Sequence, residues 1–501
     1  MNIILIHTDQ QRYDSLGCTG NRYAVTPNLD RLGAEGTVFH RHISAHPVCM
    51  PSRSSLLSGL YPLGHGVASN GIALARREAV PHKDRWSHYV FHVETLADML
   101  AREGYHTRSI GKLHLTPTQS HIDLGYEECH DRWVDRGMEG WHGPYYGFEY
   151  VDATLHHGEG VFGHYRYWLE DEHPEVLEAI SAPDRRKEQL YGNVPDIRDS
   201  VIPEEAHHST WIGDRAVEFL SNRDDDRPFF LFLGFPDPHH PFTPPESLGK
   251  EFRAHDVMPH AGIEQMTGGR PWAWEEFTSS RKKDSEKKGD ENAMARVVRQ
   301  QTDAMVHLID RSVGRVLDAL ESKGLEEDTI VVFTSDHGDY LGDFGLLRKR
   351  ELGCNALCRI PFIIRIPGMD LPGETSVPMS NVDVVPTLMS ALGFDVPGSL
   401  HGRDILPLVR TGNFDHTVMV QAVQNSLPGS RNLSLFDARY RFTWYPVTDE
   451  RELYDHDADP MELHNLAEDP GYAERCDGML ARLIRKSAEA TQACTGRVSS
   501  W

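Results

Sequence analysis

The side chains best suited to chemistry lie in short polar clusters. Asp9 and Gln10 occur in Thr8-Asp9-Gln10-Gln11, and Asp336 and His337 in Ser335-Asp336-His337-Gly338-Asp339. Two carboxylates can neutralise a divalent cation, while an amide oxygen and an imidazole add neutral donors. Hard oxygen donors favour Ca²⁺ or Mg²⁺. No Cys/His quartet has the spacing of a structural zinc site. Taken singly, each aspartate also reads as a loop cap; taken together, they favour a metal. Cys49 stands in His46-Pro47-Val48-Cys49-Met50-Pro51-Ser52-Arg53, with Leu56, Leu57 and Leu60 following at helical spacing. Proline and serine in a first turn are ordinary helix openings. A helix N-terminus and a nearby arginine favour a thiolate; the alternative is a packed thiol.

Elements of alternating type must position these groups. Ile3–Ile6, Phe229–Leu233, Ile330–Phe333 and Phe362–Ile366 are short apolar runs. Unbroken apolarity predicts strands buried on both faces, as in a parallel sheet. Thr95–Arg102 and Met294–Glu321 carry helical patterns, the second with apolar residues at a 3.6 period. Strands alternating with helices imply an α/β domain. Polar clusters follow three of the strands, after Ile6, Leu233 and Phe333. Ligands of open α/β sheets bind beyond the carboxyl ends of strands, so these clusters are expected to converge. Residues 116–210 lack a strong period and are too long for a plain connection. They read as an insertion shaping a substrate pocket or as a solvated excursion. The charged run 281–291 reads as a solvated loop. From about 406, short segments at 417–421, 440–445 and 452–455 predict antiparallel strands, followed by a helix over 472–488.

Bulk properties narrow the class. The chain has 501 residues, 39% of them apolar, enough for a large core. A formal charge of −24 argues against nucleic acid or an anionic membrane as the main partner. Seven cysteines without framework spacing indicate reduced thiols. There is no signal-peptide pattern, and no run approaches the roughly 20 apolar residues that span a bilayer. The expectation is a cytoplasmic protein without a membrane segment.

Several motifs occur together in a fixed order. Cys49-Met50-Pro51-Ser52-Arg53 continues into Leu56-Leu57-Ser58-Gly59. Thr8–Gln11, Gly111-Lys112-Leu113-His114, Pro238-His239-His240-Pro241-Phe242 and Ser335–Asp339 accompany it, as do Gly345-Leu346 with Lys349 and Leu453-Tyr454-Asp455 with Asp459-Pro460-Met461-Glu462 and Asn465-Leu466. This ordered set resembles the type I sulfatases of the alkaline-phosphatase-like superfamily. The resemblance implies an α/β fold with a mainly parallel sheet flanked by helices, and a smaller C-terminal α+β domain containing an antiparallel sheet. We place the boundary between residues 1–405 and 406–501.

The resemblance also implies a mechanism. In that family the cysteine is oxidised to formylglycine, here at Cys49, by a formylglycine-generating enzyme. Asp9, Gln10, Asp336, His337 and modified Cys49 resemble the ligands of a divalent metal, expected to be Ca²⁺, with Mg²⁺ and Mn²⁺ as alternatives. Arg53 resembles the residue that orients the formylglycine. Lys112, His114, His239 and Lys349 resemble the groups around sulfate and the leaving oxygen, and Asn70 falls near a substrate-binding position. The expected reaction releases sulfate from an organic sulfate monoester, a sulfated sugar or an aryl sulfate. In that scheme protonated His239, helped by Lys349, protonates the leaving group, and His114 deprotonates the second hydroxyl of the aldehyde hydrate. The alternative is a phosphonate monoester or phosphodiester hydrolase of the same mechanism. Lys112 and His114 lean toward sulfate, because the phosphonate enzymes tend to carry uncharged residues there. Gln10 stands where many members have a second aspartate, His337 where many have asparagine, and Asn355 where glutamate is frequent. Met50 is an unusual second residue of the modification motif. Whether the chain forms a homo-oligomer is left open.

Overall fold

The computed structural model describes residues 1–76, 92–182, 194, 196–278, 290–422 and 427–491. Most of the charged run 281–291, and Cys494, lie outside them. The strands are β1 (Asn2–Thr8), β2 (Thr37–Phe39), β3 (His42–Ile43), β4 (His106–Gly111), β5 (Tyr150–Leu155), β6 (Phe162–Gly163), β7 (Phe229–Gly234), β8 (Thr329–Ser335), β9 (Phe362–Arg365), β10 (Glu374–Thr375), β11 (Met379–Ser380), β12 (Val418–Ala422), β13 (Asn432–Phe436), β14 (Tyr440–Tyr445) and β15 (Glu450–Asp455).

Nine of them form one sheet in the order β10-β2-β9-β8-β1-β7-β4-β5-β6. The five central strands, β8 to β5, are mutually parallel. Their unbroken apolarity has the expected cause. Ile3, Leu5, Phe230, Phe232, Ile330 and Val332 enter the core on one face, where the helices Cys49–Ser58, Leu96–Arg102 and Val384–Ala391 pack. Ile4, Ile6, Leu231, Leu233, Val331 and Phe333 enter the core on the other, under His208–Ser221 and Glu291–Ser322. Phe362–Arg365 forms a strand, but it runs antiparallel to both β8 and β2. Continuous burial reports two covered faces and carries no information on strand direction.

Among their described residues, 116–210 are built into the main sheet and its helices and are not a solvated excursion. They supply β5 and β6, the helices His164–Glu172 and Pro174–Ser181, and the start of His208–Ser221. The four-stranded antiparallel sheet β12-β13-β14-β15 is separate from the main one. One face buries Leu433, Leu435, Phe442 and Leu453 against Cys476, Met479 and Leu483 of the helix Ala473–Ala490. The other buries Val418, Val420, Phe436 and Tyr445 with Tyr340, Phe344 and Leu357. The small sheet therefore braces the segment that follows β8.

A buried ionic cluster reinforces that brace. Arg441 Nε meets Glu462 Oε1 at 2.6 Å and its Nη1 meets Glu452 Oε2 at 3.2 Å. Glu462 Oε2 accepts the backbone N–H of Asn355 at 2.8 Å. Burial opposes ionisation of Glu462, but Arg441 and His456 outweigh it and hold the carboxyl at about 2, below its ordinary 4.5. A depressed folded-state pKa stabilises the fold above the unfolded value and loses that effect as pH falls through the folded one. Denaturant unfolding followed from pH 4.5 down to about 2 should therefore show a shallower loss of stability in Glu462→Gln than in the parent. Parallel curves for the two proteins would remove this role from Glu462.

Candidate active site

Parallel register brings the polar clusters to one edge. Thr8 pairs with Ser335, so Asp9 and Asp336 leave adjacent strand ends together. On the other side of β1, His7 pairs with Gly234, and Gly234 pairs with Gly111 of β4. Two glycines permit the close passage there. A Cβ on Gly111 would lie 2.1 Å from the Gly234 carbonyl oxygen, and one on Gly234 would lie 2.2 Å from that of Lys112. The Lys112 N–H donates to the Gly234 carbonyl at 2.7 Å, which fixes the lysine beside Asp9.

Cys49 opens the helix Cys49–Ser58, all ten residues of which are buried. Val48 is extended and Gly59 closes the helix in the left-handed region. Ser52 Oγ and Ser44 Oγ both donate to the Asp336 carbonyl, at 2.5 and 2.6 Å, pinning the first turn to the end of β8. The helix N-terminus, with its partial positive charge, is thereby held at the strand ends. Asn70 is exposed, and its Oδ1 accepts the Met50 N–H at 3.0 Å, so this residue caps the helix beside Cys49.

Arg53 organises the charges. Its Nε meets Asp336 Oδ2 at 2.9 Å, Nη2 meets Asp9 Oδ2 at 3.0 Å, and Nη1 donates to the Lys112 carbonyl at 2.9 Å. Lys112 Nζ also reaches Asp9 Oδ2, at 2.6 Å. Both cations thus take Oδ2 atoms and leave Oδ1 of each aspartate to the other side. Burial works against the Asp9 charge, yet the Lys112 ammonium, and with it the Arg53 guanidinium, hold its carboxyl well below the usual range. Burial and Asp9 push the Cys49 thiol up, but Lys349 and His337 prevail and lower it.

The remaining ligand atoms fit a divalent cation. One ligand atom each from Asp9, Cys49, Asp336 and His337 lie within 4.8 Å of one another, and all four residues are buried. Cys49 Sγ is 3.3 Å from His337 Nε2 and 3.8 Å from Asp9 Oδ1. His337 Nδ1 donates to the Gly338 carbonyl at 2.9 Å, the usual support of a metal-binding imidazole, so Nε2 faces the cluster. Burial opposes a charge on this ring, but Asp336 and Cys49 outweigh it and raise its pKa, and a cation at Nε2 would displace that proton. Gln10 sits at φ 64° beside this group. Its N–H donates to Asp336 Oδ1 at 2.8 Å, while its amide oxygen accepts from Lys349 Nζ at 2.8 Å. A metal at Gln10 must therefore share that oxygen with the lysine.

Lys349 also donates to His239 Nε2 at 2.8 Å, and His239 Nδ1 donates to the His240 carbonyl at 2.5 Å. Burial, His157 and Lys349 together push His239 well below the normal histidine value. In the substrate-free protein the charged form of His239 is therefore opposed, and its Nε2 is the acceptor of the Lys349 hydrogen bond. His114 follows Lys112 at φ 57°, and its buried Nδ1 lacks a hydrogen-bond partner. Burial lowers its pKa, and the positive field of Lys112 and Arg53 lowers it further. Three residues of this site were not assigned to it by sequence reasoning. His157 lies against Lys112 and His239, and His240 and Asp339 hold the Gln10 amide. His157 follows β5 as Asp9 follows β1, so the strand-end rule would have found it had β5 been recognised.

The sulfatase family model matches residues 1–394. The chain belongs to the sulfatase family. A second model, described as the C-terminal part of N-sulphoglucosamine sulphohydrolase, matches residues 342–489. An arylsulfatase of Clostridium perfringens is 29% identical, over 97% of this chain and 94% of that protein. The multifunctional alkaline phosphatase superfamily protein PehA of Trinickia caryophylli is 31% identical, over 94% and 92%. The phosphonate monoester hydrolase of Agrobacterium radiobacter shares the fold, with a TM-score of 0.74 at 23% identity over 98% of this chain and 96% of that one. The protein is thus a sulfatase with the alkaline-phosphatase-like architecture.

Removing the guanidinium should expose how much this sulfatase site depends on it. Loss of one partner of a buried charge cluster typically costs about 3–5 kcal/mol. Arg53→Met should lose stability of that order in chemical denaturation with chelator present, and added Ca²⁺ should recover part of it. A variant as stable as the parent in chelator would show that the two aspartates do not rely on Arg53.

Proposed function

We propose that this sulfatase hydrolyses organic sulfate monoesters through a formylglycine formed at Cys49, with a divalent metal held by Asp9, Asp336, His337, residue 49 and Gln10. The observation that carries this reading is the convergence of Cys49 Sγ, His337 Nε2 and the free Asp9 Oδ1 at a buried helix N-terminus. These residues would hold the metal, for which Ca²⁺ fits the carboxylate-rich set, and it would supply charge neutralisation for the anion and the nucleophile. An aldehyde hydrate at position 49 supplies two hydroxyls on one carbon, one to attack sulfur and one to expel sulfate afterwards.

The chain's own residues do the rest. Arg53 holds residue 49's surroundings through both aspartates. Lys112, Lys349 and the helix N-terminus offer positive charge to the anion. The Lys349–His239 hydrogen bond holds the proton for the leaving oxygen, and binding of an anion favours its passage to His239. His114, neutral and with an open nitrogen, serves as the base for the second hydroxyl. Asn70 presents its amide at the rim. Within this reading residues 1–405 are the catalytic domain and 406–501 a bracing subdomain, supported by the separate antiparallel sheet. Among the described residues no helix is long and apolar enough to cross a membrane. The substrate class is a sulfated sugar or an aryl sulfate.

Two measurements test the proposal. Protein co-expressed with a formylglycine-generating enzyme should yield an active-site peptide in which the Cys49 CH₂SH group has become an aldehyde. Cys49→Ala should lower turnover on the order of 10³-fold or more. A fully active enzyme with an intact thiol would refute the aldehyde mechanism. In the second measurement an aryl sulfate should turn over faster than the matching aryl phosphonate, since both substrates are anions and Lys112 with His114 favours the sulfate. Faster phosphonate hydrolysis would make the chain a phosphonate monoester hydrolase.

A further inference from the structure

His157 belongs to none of the motifs that define the site, yet it joins two of its parts. Lys112 Nζ lies 3.0 Å from His157 Nε2, and His157 Nδ1 lies 3.4 Å from the Pro236 carbonyl oxygen. An ammonium can only donate and a carbonyl can only accept, so both contacts require the same tautomer, with hydrogen on Nδ1 and a lone pair on Nε2. The opposite face of the ring matters as much. The His157 and His239 rings stack with centroids 3.5 Å apart and planes 11° from parallel. One ligand atom each from His157, His239 and Asp9 lie within 4.8 Å of one another.

The contacts close a ring. Asp9 binds Lys112, Lys112 binds His157, His157 stacks on His239, His239 accepts from Lys349, Lys349 holds the Gln10 amide, and the Gln10 N–H returns to Asp336. Arg53 joins Asp336 to Asp9 and completes it. Every link except the stack is a hydrogen bond or ion pair. His157 is the link between the lysine expected on the sulfate and the histidine expected on the leaving oxygen. Its position is set by the carboxyl end of β5, independently of the strands that carry the other two.

We propose that His157 is a positioning residue for the reaction. It orients the Lys112 ammonium by accepting from it, and it orients the His239 ring by stacking on it. This rests on the proposed sulfate ester hydrolysis. A residue that aligns the proton donor for the leaving oxygen matters most when that oxygen is basic. A residue that only supports the fold lowers all rates alike.

The test uses the full chain, matured with a formylglycine-generating enzyme, on two aryl sulfates whose phenols differ widely in acidity. His157→Ala should lower kcat/KM about thirtyfold on the ester of the less acidic phenol and less than about fivefold on the other. His157→Gln, which keeps an acceptor for Lys112 but lacks the ring, should show a smaller loss with the same dependence. Equal losses on both esters, or no loss, in whichever variants fold would overturn the proposal. Selective ¹⁵N labelling of histidine supplies a readout independent of turnover. The His157 ring should carry its hydrogen on Nδ1, and hydrogen on Nε2 would overturn it. Parent enzyme inactive on both sulfates, with the Nδ1–H tautomer present, would reject the sulfatase substrate assignment and leave the geometry standing.

Discussion

Two carboxylates, Asp9 and Asp336, lie side by side with no exposure to solvent. Removing each from water is costly, and their mutual repulsion grows in a low-dielectric interior. Arg53 resolves both difficulties with one rigid fork, giving a separate nitrogen to each acid and a third to a backbone carbonyl. A lysine could not reproduce that geometry, because its ammonium is a single point on a flexible stem. The arginine is itself buried, so it needs a helix that is buried throughout and fixed at its first turn. The serines that anchor this turn, the glycine that ends the helix and the apolar side chains beneath it follow from that requirement. Because the guanidinium engages the Oδ2 atoms, Asp9 Oδ1 remains directed at Cys49 and His337, while Asp336 Oδ1, which accepts the backbone N–H groups of Gln10 and His337, still lies 3.7 Å from His337 Nε2. The same contact that makes the acids tolerable also makes them available.

The sheet converts this local need into a site. Ladder pairing between parallel strands fixes the relative height of their ends, so residues just past β8, β1, β7, β4 and β5 arrive at one level without further adjustment. Gly111 and Gly234 let two of these exits pass at backbone distance, where any side chain would clash. The small antiparallel sheet acts from a different direction. By burying Tyr340, Phe344 and Leu357 it holds the segment after β8, from which Lys349 reaches Gln10 and His239. Position in the catalytic cluster therefore depends on two cores, one beneath the strands and one beneath the returning loop.

Legibility in the sequence followed the strength of each physical signal. β1, β7 and β8 are apolar on both faces, and their runs were plain. β4 and β5 were missed because His106-Thr107-Arg108-Ser109-Ile110-Gly111 and Tyr150-Val151-Asp152-Ala153-Thr154-Leu155 interleave polar side chains that become buried only through specific partners, such as Arg108 with Asp152. β13 was missed for the same reason, since Asn432 and Ser434 turn inward to bind Glu351 and Thr443. Once β5 was lost, the pair His156-His157 fell within the stretch read as an insertion or an excursion. The setting of the His239 ring was also beyond reach. Only the packed rings and the adjacent ammonium reveal how strongly its charged form is opposed.

Gln10 shows why a substitution that looks weakening in a motif can be required by its surroundings. The Gln10 Nε2 donates to the carboxylate of Asp339 and approaches His240 Nδ1 at 3.1 Å, while its oxygen faces the Lys349 ammonium. A carboxylate at position 10 would satisfy Lys349 equally well. It would also set two like charges against each other at hydrogen-bond distance, in a place where burial already raises the Asp339 carboxyl. The amide is the one side chain of this length that donates toward Asp339 and accepts from Lys349 at the same time. Gln10 and Asp339 are thus a matched pair, and the neutral residue follows from placing an acid on its far side. The cluster facing Cys49 then carries two carboxylates rather than three. That smaller negative charge suits a site whose substrate is itself an anion.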